Sequence, residues 1–279
     1  MSPAASVRSR LTKFGKQSDQ DIELADAALH LGAVRRRGIK LEPYHRHLAH
    51  LVSDVGRYSR ADEEDPDLEI RVEALRQVIA SRYGYLGTEE AFDDLDCANL
   101  THVIDRRSGL PVLMSIIYLH VANKLGWAAK GIDFPGRFLV RLEHQGERIL
   151  IDPYAGGGEV TAPDLRDFIK VFVGNHAELS PALYAEANNR EILLRVQNNI
   201  KVRQLRDKNL DDALETIEAM LLFAPGESKL WRESGLLYAR IDNVKQAVAA
   251  LEEYVRLDSA DSARYRTTNL LQELRARLS

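Results

Sequence analysis

The chain has 279 residues, is 45% hydrophobic and 29% charged, and carries a net charge of -4. This suits a soluble globular protein of one large or two modest domains, and gives no overall basic bias toward nucleic acid. A single cysteine, Cys97, excludes an intramolecular disulfide framework and a CxxC metal site, and fits a reducing compartment such as the cytoplasm.

Met1 to Gln20 has scattered Arg and Lys but no apolar core, so no signal peptide is expected. Residues 1–18 are expected to be loosely ordered, because they offer little apolar surface to bury. Ile22 to Leu31 reads as a short Ala-rich helix that Gly32 ends. Leu48, Leu51, Val52 and Val55 follow the i, i+3, i+4, i+7 spacing of one buried helical stripe. His45, His47 and His50 surround the start of this helix. No Asp, Glu or Cys in register completes a ligand set, so no metal is expected.

Arg60 to Asp67 is a polar loop, with Asp65 as N-cap and Pro66 opening the next helix. Leu68, Val72, Leu75 and Ile79 carry that helix, and Gly84 stops it. Asp93 to Asp96 is an acidic turn, from which Asp96 caps a helix bearing Leu100, Val103 and Ile104. Pro111 then opens a helix that is apolar nearly all round, from Val112 to Val121, and Gly126 ends it. Its longest apolar window, Leu110 to Ala122, is too short to span a bilayer.

From Ala128 the pattern changes to strands. Phe138 to Leu142 and Arg148 to Ile151 flank a turn at His144-Gln145-Gly146. A loop over Glu143 to Gly146 pairs Leu142 with Glu147, Phe138 with Ile151 and Arg137 with Asp152. Period 2 then puts Phe138, Val140, Leu142, Ile149 and Ile151 on one face, with Arg137 and Asp152 on the other. Gly156-Gly157-Gly158 reads as a flexible loop. Pro163 to Phe172 reads as a short helix capped by Thr161 or Asp164.

The C-terminal region repeats with a period of 34 residues: Asn209 matches Asn243, Ala213 matches Ala247, Leu214 matches Val248, Ile217 matches Leu251 and Pro225 matches Ser259. That period fits a tetratricopeptide (TPR) unit. In the second copy Trp231, Gly235, Tyr238 and Ala247 occupy the motif positions; the first copy has Gln197, Lys201 and Gln204 there. Tyr265 to Leu278 reads as a capping helix.

The middle of the chain resembles the transglutaminase-like core of bacterial SirB-type proteins, which carry a similar TPR tail. The residues that carry the resemblance are Arg107-x-Gly109-x-Pro111, Lys124-Leu125-Gly126, Phe134-Pro135-Gly136 and Ile151-Asp152-Pro153. It implies an α+β, mostly helical fold. A transglutaminase-like (papain-like) core with a small antiparallel sheet fills residues 19–185, and TPR helical hairpins fill 186–279. In active relatives a Cys begins the buried helix, a His on the next strand is the base, and an Asp orients the His. Carried onto this chain, the Cys position falls on Pro111 and the His position on Arg137, so only Asp152 remains. Proline has no nucleophile, and arginine stays protonated and cannot serve as a base.

Two candidates lie outside those positions. Ser115 stands one turn after Pro111, and Cys97 stands five residues before His102. Each has an ordinary structural reading, as a serine bonded to a carbonyl and a small buried hydrophobe. The helix start at Pro111, with Gly109, Arg107 and Arg137, could also hold an anion; the competing reading is an Arg137–Asp152 salt bridge. The sequence has no GxxxxGK[ST] and no GxGxxG after a strand, so no cofactor is expected.

The favoured function is a non-catalytic interaction, scaffold or regulatory protein with a degenerate core and a peptide-binding tail. By repeat register Arg195, Asn198, Val202, Arg206, Lys229, Arg232, Leu236 and Arg240 mark the concave face. Its basic character predicts an acidic protein or peptide partner rather than nucleic acid or membrane. The alternative is a residual cysteine or serine hydrolase or transferase.

Overall fold

The computed structural model describes residues 3–92, 94–174, 176–257 and 264–278. Asp93 and Ser259, used above, lie outside them. The chain is mostly helical with one five-stranded sheet, and it divides into two compact units. One is formed by Asp19–Val196. The other joins the residues up to Ser18 to those from Gln197 on. The division falls eleven residues after the expected domain boundary at 185, inside a helix. Among the described residues no helix is long and apolar enough to cross a membrane.

The core unit begins with α2 (Leu24–Arg35), which follows α1 (Pro3–Lys16) of the other unit. Gly32 does not end α2. A Cβ there would overlap the side chain of Asn99, whose Nδ2 donates to the Gly32 carbonyl at 3.1 Å. The Oδ1 of Asn99 accepts from the Thr101 amide at 3.0 Å. Asn99, rather than Asp96, is thus the N-cap of α5 (Leu100–Arg106), and Gly32 is the gap that lets it seat.

In α3 (Glu42–Ser59) the expected stripe is inward, with Leu51 and Val55 fully buried. The next helix, α4 (Leu68–Leu75), is N-capped at Asp67, not Asp65. Arg71, only 4% exposed, draws the preceding turn onto itself. Its Nη2 pairs with Asp65, and its Nε donates to the Pro66 carbonyl at 2.7 Å. The helix widens into a π-helical turn over Arg76–Arg82 and stops at Gly84, whose φ is +76°.

α6 (Pro111–Lys124) is buried without a break from Pro111 to Leu119 and ends at Gly126 as expected. It lies against β1 (Ala128–Phe134) and β2 (Arg137–His144). With β3 (Glu147–Asp152), β4 (Gly158–Glu159) and β5 (Glu186–Ala187), these form an antiparallel sheet of order β4-β3-β2-β1-β5. Ile132, Phe134 and Leu139 pack with Leu165 and Ile169 of α7 (Ala162–Phe172). Thr161 and Asp164 form the reciprocal capping box of α7.

The β2–β3 register corrects the expected one. Val140 pairs with Ile151 and His144 with Glu147, so the turn is the two residues Gln145-Gly146. Both have positive φ, 50° and 87°, as a tight hairpin turn requires. The slip is two residues, an even number, so every side chain keeps its predicted face. Arg137 is nevertheless moved off its direct position opposite Asp152. The triglycine is no loose loop either. The Gly157 amide donates to the Asp152 carbonyl at 2.7 Å, and a Cβ on Gly157 would press on Tyr118.

The second unit holds most of α8 (Asn189–Arg206), then α9 (Leu210–Phe223), α10 (Ser228–Arg240), α11 (Val244–Leu257) and α12 (Arg264–Ala276). The 34-residue repeat is written in its backbone. Lys208 and Asp242 both turn left-handed, with φ of 62° and 63°. Asn209 donates to the Gln204 carbonyl at 2.8 Å, and Asn243 to the Tyr238 carbonyl at 2.9 Å. A Cβ on Gly235 would run into Leu251, so this glycine sets the close approach of α10 and α11. In the first copy Gln197, Lys201 and Gln204 are buried; Gln204 accepts from the Thr216 hydroxyl at 2.8 Å, and Lys201 pairs with Glu233.

The N-terminus corrects the expectation of loose order. Residues 3–16 are helical, and Leu11 and Phe14 are buried. At Gly15 the helix comes so near α9 that a Cβ would overlap the Leu222 carbonyl oxygen. The few apolar residues of this segment fall on one face, which the sparse composition concealed. Gly15→Ala is expected to force α1 off α9 at a cost of about 1–3 kcal/mol, because the obstacle is backbone and cannot rotate away. Urea denaturation and limited proteolysis at residues 3–18 measure this; an unchanged midpoint and an uncut N-terminus would contradict the packing.

Candidate functional site

The site of interest is the corner where the start of α6 meets the ends of β2 and β3. At the α6 start Leu110 is the N-cap without a side-chain cap, and Pro111 follows. The Leu110 amide donates to the Cys97 carbonyl at 3.0 Å. Gly109 is fixed by crowding, since a Cβ would overlap Val103. The turn before α6 is therefore braced by the segment that carries Cys97.

Asp152 ends β3 and caps the short turn Pro153–Ala155. Its Oδ1 accepts from the amides of Tyr154 at 2.9 Å and Ala155 at 3.4 Å. Its Oδ2 lies 3.8 Å from Arg137 Nε, an ion pair beyond hydrogen-bond length. The guanidinium of Arg137 sits over two rings, 4.9 Å from Phe168 and 5.6 Å from Tyr154. Burial pushes the Asp152 carboxyl above its usual range; Arg137 and the two backbone amides pull the other way. Three buried polar atoms here have no hydrogen-bond partner: Arg137 Nε, Asp152 Oδ2 and the Tyr118 hydroxyl. Burial, and then the charge of Asp152, raise the pKa of Tyr118, so it stays a neutral phenol.

Pro111, Ser115 and Tyr118 stand at i, i+4 and i+7 on α6. Ser115 is fully buried and donates to the Phe138 carbonyl at 2.8 Å. Its hydroxyl joins α6 to β2. Cys97 is buried and forms no disulfide. The His102 ring faces Asp96 at 3.5 Å, and burial lowers its pKa.

Two expected members lie elsewhere. Arg107 turns to the Tyr85 ring, 5.0 Å away, and donates to its hydroxyl at 2.9 Å. It thus does not add a second cation beside Arg137. Arg195 belongs to the core unit rather than the repeats. It pairs with Asp133, donates to the Arg137 carbonyl at 3.2 Å, and lies over the Phe138 ring. The register extrapolated the repeat one turn too far toward the N-terminus of α8. The remaining residues do sit on the repeat helices. Asn198, Arg206, Lys229 and Arg240 are exposed, as are the apolar Val202 and Leu236. Arg232 Nε donates to Thr267 of α12 at 3.1 Å. Among the described residues no group of three or more His, Cys, Asp or Glu could hold a metal ion.

Tyr118, Tyr154 and Phe168 were not among the residues singled out from sequence. For Tyr118 a signal existed: it and Ser115 interrupt the apolar surface of α6 on the face that Pro111 begins.

Arg137→Met removes the charge that favours ionised Asp152, at an expected cost of roughly 1–3 kcal/mol at neutral pH. The native pKa of Asp152 already exceeds its unfolded value, and the variant raises it further. The native state then takes up the proton more readily than the unfolded chain, so the deficit is fullest at neutral pH and shrinks as pH falls through the carboxyl's native titration. Urea denaturation at neutral and mildly acid pH reads both; a deficit independent of pH would contradict the pairing.

Residues 42–198 match the model of a transglutaminase-like superfamily, and residues 200–272 match that of a tetratricopeptide repeat. The chain is similar to a UPF0162 protein of Xylella fastidiosa, 28% identical over 74% of this chain and 75% of that one. It is similar to the UPF0162 protein YchA of Escherichia coli, 30% identical over 71% and 74%. It is also similar to the protein SirB1 of Salmonella typhimurium, 28% identical over 71% and 74%. No solved structure matches the chain. With the superfamily model covering more than half of it and the repeat model following in the same order, the chain belongs to the transglutaminase-like superfamily, in its UPF0162/SirB1 group.

Proposed function

We propose that this is a non-catalytic interaction protein, a pseudoenzyme core coupled to a TPR surface that takes an acidic peptide segment. The observation that carries the reading is the side-chain content of the corner. Pro111 and Arg137 stand where the resemblance puts a thiol and an imidazole, and the hydroxyl of Ser115, one turn further along α6, is spent on the Phe138 carbonyl. Activated-nucleophile chemistry needs a nucleophile within reach of a base. Cys97 as a buried thiol suits a reducing compartment, and the protein is read as cytoplasmic.

On the repeats, Val202 and Leu236 are exposed at 60% and 36%, and they are equivalent under the 34-residue period. Arg206 and Arg240 are equivalent one turn further on, and Lys229 is exposed one turn before Arg232. Apolar positions flanked by cations on the equivalent helices α8 and α10 fit a peptide with acidic side chains around an apolar anchor.

Two measurements test the reading. Iodoacetamide is expected to modify Cys97 more slowly in the folded protein than in urea; faster labelling when folded would favour the residual cysteine hydrolase or transferase instead. Lys229→Glu combined with Arg240→Glu reverses two exposed charges without touching the Arg232–Thr267 contact. Affinity capture with the folded double variant is expected to lose the acidic-segment partners that the natural protein retains. An unchanged set of partners would remove the peptide reading.

A further inference from the structure

A second polar cluster lies in the core unit, away from the corner residues. A cavity of about 400 Å³ is lined by Arg36, Lys40, Tyr44, His47, Asp105 and Arg107. Three cations share it with one carboxylate. Asp105 is already engaged: its Oδ2 accepts from Arg36 Nη1 at 2.9 Å and from the Tyr44 hydroxyl at 3.1 Å. Arg36 also donates to the Thr101 hydroxyl at 2.9 Å. Lys40 and Arg107 therefore supply positive charge that Asp105 does not neutralise.

Two of the lining residues, His47 and Arg107, are tied together by Tyr85, which is fully buried. Arg107 Nη1 donates to the Tyr85 hydroxyl at 2.9 Å and also to the Ile104 carbonyl. The same hydroxyl meets His47 Nε2 at 2.8 Å. Having accepted from Arg107, the phenol has one proton to give, and His47 Nε2 is its acceptor. Assigning the phenol proton to His47 Nε2 places the imidazole proton on Nδ1. Burial and the neighbouring Arg107 push the His47 pKa down to about 4, so the ring is neutral. Among the described residues, His47 Nδ1 and the Nε and Nη2 of Arg107 have no hydrogen-bond partner.

Arg107 is held at a backbone cost. It ends α5 in the left-handed conformation with φ 60°, a position where glycine is the usual residue. An arginine kept there, fixed by ring stacking and by a buried phenol, is preorganised. Ile39 and Pro43 add an apolar side to the cavity.

We infer that this cavity binds a small soluble phosphomonoester, its dianionic phosphate held by Arg107, Lys40 and the His47 N–H, with its organic part against Ile39 and Pro43. A dianion matches the two uncompensated cations. Arg107 presents the planar fork that phosphate accepts. The size suits a metabolite rather than a polymer. The site uses none of the corner residues, so it stands whether or not the peptide reading holds.

Titration calorimetry of the full chain with glycerol 3-phosphate, inorganic phosphate and succinate tests the inference. Saturable binding of glycerol 3-phosphate is expected, tighter than that of inorganic phosphate and much tighter than that of succinate. Arg107→Gln is expected to weaken it about tenfold or more, the loss of a charge-assisted hydrogen bond. Lys40→Gln is the second variant, because Lys40 is exposed and its loss leaves the fold intact. No saturable heat with glycerol 3-phosphate up to about 10 mM would overturn the inference. So would succinate binding as tightly as the phosphates, or binding untouched by either substitution.

Discussion

A helix with no polar face has to be enclosed, and α6 is such a helix. The sheet packs on it, as do α2, α3, α4 and α5. Enclosure then governs every polar group that α6 brings inside. Ser115 meets the condition by bonding the Phe138 carbonyl. Among the described residues the Tyr118 hydroxyl has no partner, and it shares a buried corner with Asp152 Oδ2 and Arg137 Nε. The start of this helix is therefore a low-dielectric corner. The corner holds an ion pair stretched to 3.8 Å, where charge attraction survives but directional bonding does not.

The sequence disclosed most where one physical rule acts alone. Proline at the first turn and an unbroken apolar run fixed the start and burial of α6. Alternation placed Arg137 and Asp152 on one face of the sheet. The 34-residue period located the repeats. It failed where two rules compete for the same residue. Gln145 can lie in a long loop or, with positive φ, in a two-residue turn; only the strand pairing selects the second. Gly32 can stop a helix or admit a neighbour, and Asn99 decides that it admits one. Asp65 could have capped α4, but the buried guanidinium of Arg71, six residues on, claimed it. The site shows the same division. The resemblance pointed to Pro111, Arg137 and Asp152, whereas the rings that hold Arg137 come from α7 and from the turn after β3, and no local pattern joins them.

Arg107 and Arg137 illustrate how one residue type is put to different uses in a single domain. Arg137 lies between two rings and beside a carboxylate, so its charge is largely answered. Arg107 is stacked on one ring and bonded to neutral oxygens only. Stacking fixes a guanidinium without discharging it. Arg107 precedes the α6 turn and the resemblance puts Arg137 beside it, which grouped the two in the sequence; the direction of the Arg107 side chain separates them.

The docking of α1 on α9 makes one unit from the two ends of the chain, with the core unit inserted between them. Synthesis therefore runs out of step with assembly. The core has all of its residues once Val196 has been made, whereas α1, made before the core, must wait for α9 before its Leu11 and Phe14 are covered. Closing so long a loop costs entropy and slows folding. During that interval the nascent chain carries a small amphipathic helix with an open face, and the order of translation determines how long it stays uncovered.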